Sequence, residues 1–321
     1  MKLLKRSLFV IGILLLVVYC FACWTLSGRV LFPVSSLEKT KSRIIQYWGT
    51  TYEDVMATLP EPSDFKVKTK DGLELNGKYF TNSDSSTCII IFAHGWGAMW
   101  ADMTKYAPVF DDCNCDFVFY DHRVHGSSEG TYATGGLKEA EDLWKVTEWV
   151  QENKNIALEN IGWIGSSWGA ATSIIGASDE KNVGFIIADS PFQNWYSAIF
   201  ERAIRDYGSG IKLLASGVMS VVNMRSGVDY KDASPINKMN TVEEPVLLIH
   251  SQGDTQTSSQ QSVNISEKLK ENARFYHTQW GNDHVMDVVK NTAEYKSYVN
   301  AFLLEEAPQF LKEVAVEESE N

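Results

Sequence analysis

Ser167, Asp254 and His284 are the side chains whose types, order and surroundings best suit acyl transfer. A serine hydroxyl is a weak nucleophile at neutral pH and needs an imidazole to take its proton, while the imidazole needs a carboxylate to fix its tautomer and stabilise its charged form. Ser167 is the centre of Gly165-Ser166-Ser167-Trp168-Gly169, a G-x-S-x-G pattern between an apolar run at residues 161–164 and a helical pattern at 169–177. That strand-to-helix context exposes the central hydroxyl at a sharp turn, and the flanking glycines let backbone and helix approach closely.

Two histidines lie far enough downstream to act as the base. His277 sits inside residues 274–279, which read as strand interior. His284 follows the turn residues Gly281-Asn282-Asp283, where a loop delivers it to the strand ends, so His284 is preferred over His277 and over a role capping the next helix. For the acid, Asp254 follows an apolar run through His250-Ser251-Gln252-Gly253 and is preferred to Asp189, which runs straight into Ser190-Pro191 and reads as a turn cap. Two backbone donors must meet the developing oxyanion; the amides of Trp168, next after the nucleophile, and Trp96, in His94-Gly95-Trp96-Gly97, are the candidates. His94 supports this loop. His122 and His125 stand three apart without a carboxylate or cysteine cluster and with Arg123 between them, so no metal site is expected. Trp100, Phe192, Trp195 and Trp280, with Trp96 and Trp168, are candidates to line an acyl pocket, against the alternative that they only pack the fold.

These residues need strand ends to carry them. Residues 65–69 and 73–80 alternate around Asp71-Gly72 as an antiparallel hairpin does. Short, uniformly apolar runs follow at 88–93, 117–120, 161–164, 185–188 and 246–249, the pattern of strands buried on both faces in a parallel sheet. Helical spacing at 137–151, 169–177, 259–270 and 285–304 separates them, which predicts an α/β fold with a mostly parallel, doubly wound sheet. Residues 191–240 exceed a simple crossover and hold helix-compatible pieces at 196–204 and 211–222, a helical insertion of lid type.

At the N-terminus, Lys2, Lys5 and Arg6 precede a charge-free apolar stretch long enough to cross a bilayer as a helix. Residues 1–28 are therefore a membrane anchor or a signal peptide; the retained anchor is favoured because the sites after Ala22 and Ser27 lack an A-x-A match. The basic cluster ahead of the span puts the catalytic part on the extracytoplasmic side of the cell membrane, although Arg29, Lys39, Lys41 and Arg43 follow; secretion after cleavage is the alternative. Residues 29–62 form a linker with an amphipathic helix over 37–59, residues 63–305 the main domain, and 306–321 a solvated acidic tail. Cys88 lies in a buried run, and Cys113 and Cys115 are too close to bridge each other, so no disulfide framework is expected among five cysteines. A net charge of −12 without a basic patch excludes nucleic acid as a partner.

Taken together, H-G-W-G, Y-D-H-R-x-H-G-x-S, G-x-S-x-G, A-D-S-P-F, I-H-S-Q-G-D and G-N-D-H occur in an order that resembles bacterial membrane-anchored or secreted α/β-hydrolases, similar to the hydrolase domain of prolyl oligopeptidases and to small acyl esterases. The resemblance spans residues 65–304 and implies the same triad and oxyanion positions, an acyl-serine intermediate and no cofactor. Thr255-Gln256-Thr257-Ser258 after the acid departs from the apolar-Pro segment of such relatives. A chain of this length has no room for a propeller domain, which leaves small esters or short peptides as substrates. Ester cleavage ranks first. Peptide cleavage would gain from a buried carboxylate pair in the insertion, for which Glu201 and Asp206 are candidates, and a non-catalytic binding protein is the third reading.

Overall fold

The computed structural model describes residues 1–177 and 181–312. Eight strands form one sheet in the order β1-β2-β4-β3-β5-β6-β7-β8. β1 (Ser63–Lys68) and β2 (Glu74–Phe80) make the expected antiparallel hairpin, and β2 also runs antiparallel to β4. The remaining strands, β3 (Cys88–Ala93), β4 (Cys115–Tyr120), β5 (Ile161–Ser166), β6 (Phe185–Asp189), β7 (Val246–Ser251) and β8 (Ala273–Thr278), are parallel. The strands from β3 to β7 are buried along their whole length, as their unbroken apolar runs require when both faces are covered. Within β3, Ile90 and Phe92 join the core on one face, while Ile89 and Ile91 join the core on the other.

The helices are α1 (Lys2–Leu31), α2 (Leu37–Arg43), α3 (Tyr52–Ala57), α4 (Leu137–Lys154), α5 (Trp168–Gly176), α6 (Trp195–Tyr207), α7 (Lys212–Ser226), α8 (Pro235–Lys238), α9 (Gln260–Ser266), α10 (Asp287–Lys290) and α11 (Thr292–Glu306). The insertion thus contributes α6, α7 and α8. Two expected helices are broken. Residues 37–59 divide into α2, a π-turn at Ile44–Trp48 and α3, because Gly49 takes φ 69° and Thr51 caps the amide of Asp54. Residues 285–304 divide at Asn291, whose extended backbone lets its side chain cap Glu294.

Two boundaries also shift. The last turns of α1 do not stand clear of the domain: Cys23, Ser27, Val30 and Leu31 are buried against the insertion. At the other end, the chain past residue 306 stays packed as far as Leu311, with Phe310 buried against Phe185, before the rest of the acidic tail leaves the described residues. The expectation of unpaired thiols is corrected for two cysteines. Cys88 and Cys115 are bridged, because they face each other at the first paired position of the parallel strands β3 and β4, an adjacency that 27 residues of separation hide.

Candidate active site

Ser167 caps α5 at the end of β5 with φ 52° and ψ −108°, a conformation rare for a residue with a Cβ. Its amide donates to Asp189 O at 2.7 Å, and its carbonyl accepts from Ala171 N at 3.0 Å, so backbone on both sides holds the turn. The motif glycines are there because nothing else fits. A Cβ on Gly165 would lie 2.3 Å from the Gly169 backbone, and one on Gly169 would lie 2.0 Å from Ala93 O.

His284 turns its Nδ1 to Asp254 Oδ2 at 2.5 Å. The loop bearing it needs two left-handed residues, Gly281 at φ 102° and Val285 at φ 56°, and abuts the acid loop so closely that a Cβ on Gly253 would meet Asn282 Oδ1 at 2.2 Å. The Asp254 side chain is wholly shielded from solvent, and its Oδ1 accepts from the amides of Gln256 at 2.7 Å and Thr257 at 3.0 Å. Burial disfavours the charged carboxylate, but His284 and His250, by charge and hydrogen bonding, hold it well below the usual carboxylate range. The rival Asp189 is spent elsewhere, accepting from the hydroxyls of Tyr106 at 2.7 Å and Tyr295 at 3.1 Å. His277 lies in β8, as its surroundings suggested.

His250 was not singled out from sequence. It is fully buried at the end of β7, between Ser262 Oγ at 2.7 Å and Asp254 Oδ2 at 3.1 Å, and so braces the acid at the same oxygen that His284 meets. The available signal was its place four residues before Asp254 in the same strand-end loop.

The loop after β3 lies against the nucleophile: a Cβ built on Gly95 would stand 3.5 Å from Ser167 Cβ. Trp168 opens α5, so its amide has no partner within the helix and, like that of Trp96, belongs to backbone beside Ser167. His94 and His125 shape this loop. His94 Nε2 accepts from His122 N at 3.0 Å, which leaves the proton on Nδ1 for Gly95 O at 2.8 Å. His125 Nε2 accepts from Gly97 N at 3.2 Å, and Nδ1 donates to Arg123 O at 2.9 Å. Burial pushes the two imidazoles down to about 4 and about 3, so both are neutral supports. Arg43 fastens the linker to the same loop through a two-pronged pair with Asp102, both bonds 2.7 Å, and a bond to Gly97 O at 3.3 Å.

Two cavities meet at Ser167 and His284. The first, of about 240 Å³, is largely apolar and is lined by Trp96, Trp168, Phe192 and Trp195 together with α6, α7 and the end of α1. The second, of about 300 Å³, is bounded by Arg43, Tyr47 and Lys105. Among the described residues the Lys105 ammonium has no hydrogen-bond or ion-pair partner and lies over the Tyr106 ring, and burial pushes it down to about 8. The other two candidate pocket residues lie outside both cavities. Trp100 packs against Phe80 and Phe119 at the hairpin edge, and Trp280 packs on Tyr298 while donating to Asp287 O at 3.1 Å. Glu201 and Asp206 do not form a buried carboxylate pair: Glu201 accepts from Gln261 Nε2 at 2.8 Å, and Asp206 pairs with Arg205 at 3.1 Å. The arrangement has the parts for nucleophilic attack on a carbonyl, namely a hydroxyl, an imidazole backed by a shielded carboxylate, and free amides beside them.

Residues 116–220 match the profile of the X-Pro dipeptidyl-peptidase (S15 family). The uncharacterized protein YqkD of Bacillus subtilis (strain 168) is 29% identical over 304 residues, covering 94% of this chain and 97% of its own. Among solved structures, the Pyrococcus furiosus esterase Pf2001 is similar with a TM-score of 0.63 and 26% identity, covering 79% of this chain and 95% of its own. The Pyrococcus horikoshii acylaminoacyl peptidase superposes with a TM-score of 0.61 at 19% identity over 83% of this chain and 44% of its own, a likeness of fold.

Proposed function

We infer that this chain, which has the α/β-hydrolase fold, is a serine hydrolase that cleaves carboxylic esters of small acyl substrates through an acyl-serine intermediate. The observation that carries the reading is the His284 Nδ1 to Asp254 Oδ2 bond of 2.5 Å, with His284 and Ser167 lining the same cavity. Asp254 fixes the proton of His284 on Nδ1, which leaves Nε2 as the base for Ser167 Oγ. Attack forms a tetrahedral oxyanion that the amides of Trp96 and Trp168 meet, and its collapse expels the alcohol with the proton from His284. Water, deprotonated by the same imidazole, then releases the acid. No step in this sequence calls on a cofactor or a metal.

Ester cleavage leads because no buried carboxylate pair stands among the described residues of the insertion to receive a substrate amine, whereas the pocket is apolar. The S15 profile match favours short peptides as the second reading. The N-terminal helix, long and apolar enough to cross a membrane, supports reading the protein as single-pass and membrane-anchored, and the Cys88–Cys115 bridge supports an extracytoplasmic catalytic domain, since such bonds persist in oxidising compartments. Secretion after cleavage is the alternative.

The test uses full-length protein in detergent, wild type and Ser167→Ala, with a fluorophosphonate probe, short-chain p-nitrophenyl esters and Xaa-Pro anilides. Labelling and ester turnover lost only in the variant are expected, with a loss of at least about 10³-fold in kcat. Anilide cleavage exceeding ester cleavage would move the assignment to peptidase. A folded wild type that neither labels nor turns over would favour the binding-protein reading.

A further inference from the structure

Helix α1 does more than tether the domain. Residues 7–28 carry no Asp, Glu, Lys or Arg, about 33 Å of helix at 1.5 Å per residue, close to the roughly 30 Å hydrocarbon core of a bilayer. Arg29 therefore marks one headgroup level, with Trp24 and Tyr19, half-exposed, below it. The insertion is fitted to this part of the helix. Gly217 of α7 lies so close that a Cβ would meet Tyr19 Oη at 2.3 Å and Cys23 Sγ at 2.7 Å. Farther along α7, Arg225 bonds Ser27 Oγ at 2.8 Å and lies over the Trp24 ring. The two helices thus run in the same direction, and the start of α7, where Leu213 is 83% exposed, reaches back past Gly217 towards the bilayer.

The first cavity extends to that same level. Leu26, Arg29 and Val30 of α1 line it together with Val218 and Met219 of α7, and it also reaches Ser167 and His284. Cleavage after Ala22 or Ser27 would cut at the edge of this lining or through it. Arg29 has no ion-pair partner among the described residues, while Arg202 and Arg205 share the single carboxylate of Asp206, so the mouth carries surplus positive charge.

Resting on the serine-hydrolase reading, we propose that the substrate is a carboxylic ester of an anionic membrane amphiphile, whose acyl chain passes from the bilayer into the cavity beside α1, so that the anchor helix is itself part of the acyl site. Apolar lining receives the chain, and the arginines at the rim hold the head group at the surface. The chemistry balances as hydrolysis: Ser167 Oγ bonds to the ester carbon, the carbon–oxygen bond to the head group breaks, and the head leaves as an alcohol with a proton from His284. One water then releases the fatty acid.

The experiment places the full-length protein in phosphatidylcholine vesicles containing lauroyl-lysophosphatidylglycerol or lauroyl-lysophosphatidylcholine and follows lauric acid release. Wild type, Leu26→Trp, Val30→Phe and Arg29→Gln are compared, and fluorophosphonate labelling of Ser167 identifies the variants that are folded. Expected are release from both lipids, faster from the anionic one, a roughly tenfold fall in the lauroyl-to-acetyl rate ratio in Leu26→Trp or Val30→Phe, and loss of head-group preference in Arg29→Gln. A labelled wild type that cleaves p-nitrophenyl acetate but leaves both lysolipids intact overturns the proposal and spares the hydrolase reading. So does a chain-length ratio unmoved in both labelled wall variants. Absence of labelling and of all turnover in the wild type overturns both.

Discussion

Asp254 is the most heavily braced side chain of the site: its Oδ2 receives both His284 and His250, and its Oδ1 accepts from two backbone amides. Such a carboxylate has two tasks, fixing the proton of His284 on Nδ1 and offsetting the imidazolium charge, and an amide in its place fails at both. Asp254→Asn is therefore expected to lower kcat with p-nitrophenyl butyrate by about 10³- to 10⁴-fold while KM changes little, because the acyl cavity is untouched. A loss below tenfold would return the role to another carboxylate, and Asp189→Asn is the control that names it. Ser167, His284 and Asp254 could be singled out as candidates from sequence because each follows a strand and stands in a turn whose residues are chosen for geometry, not packing. His250 was not, since its part depends on Ser262 from α9 lying across from it, a contact between different elements that no local pattern encodes.

At the scale of elements, hydrophobic patterning carried most of the fold. The runs at 88–93 and 246–249 are apolar throughout because the sheet covers both of their faces, and the hairpin alternates because it lies at an edge. What patterning does not encode is which strands become neighbours, and hence that Cys88 and Cys115 meet. It also missed the break in residues 37–59, where Gly49 and the Thr51 cap outweigh helical spacing. The bridge closes a loop of 27 residues and fastens β3, whose end carries the Trp96 loop, to β4. Chain-entropy reasoning assigns such a loop about 3–4 kcal/mol through restriction of the unfolded chain. Cys88→Ala with Cys115→Ala is expected to lower the thermal midpoint in detergent by several degrees and to abolish its sensitivity to dithiothreitol. A midpoint that matches the wild type under oxidising conditions would show that the bridge adds nothing to the fold.

For the whole molecule, acid pulls stability in two directions. His94 and His125 are neutral and buried at about 4 and about 3, below the ordinary 6.5, so between pH 6.5 and those values the unfolded chain takes up protons that the native chain refuses, and stability falls as pH falls. Asp121 and Asp287, raised by burial to about 6 and about 7, act in the opposite sense: in the window above an ordinary carboxylate the native chain holds more protons, and stability falls as pH rises. The wild-type profile mixes both signs, which makes a single variant compared with itself at two pH values the informative measurement. His125→Gln keeps an acceptor for Gly97 N and removes the titration. From pH 7 to pH 5, His125 alone costs about 2 kcal/mol, the product of roughly 1.5 pH units and 1.36 kcal/mol per unit. The variant is expected to be less stable than the wild type at pH 7 and to close most of that gap at pH 5, read as thermal midpoints in detergent. A gap of constant size at both pH values would mean that burial does not hold His125 below its ordinary titration, and its part as a neutral support would fall.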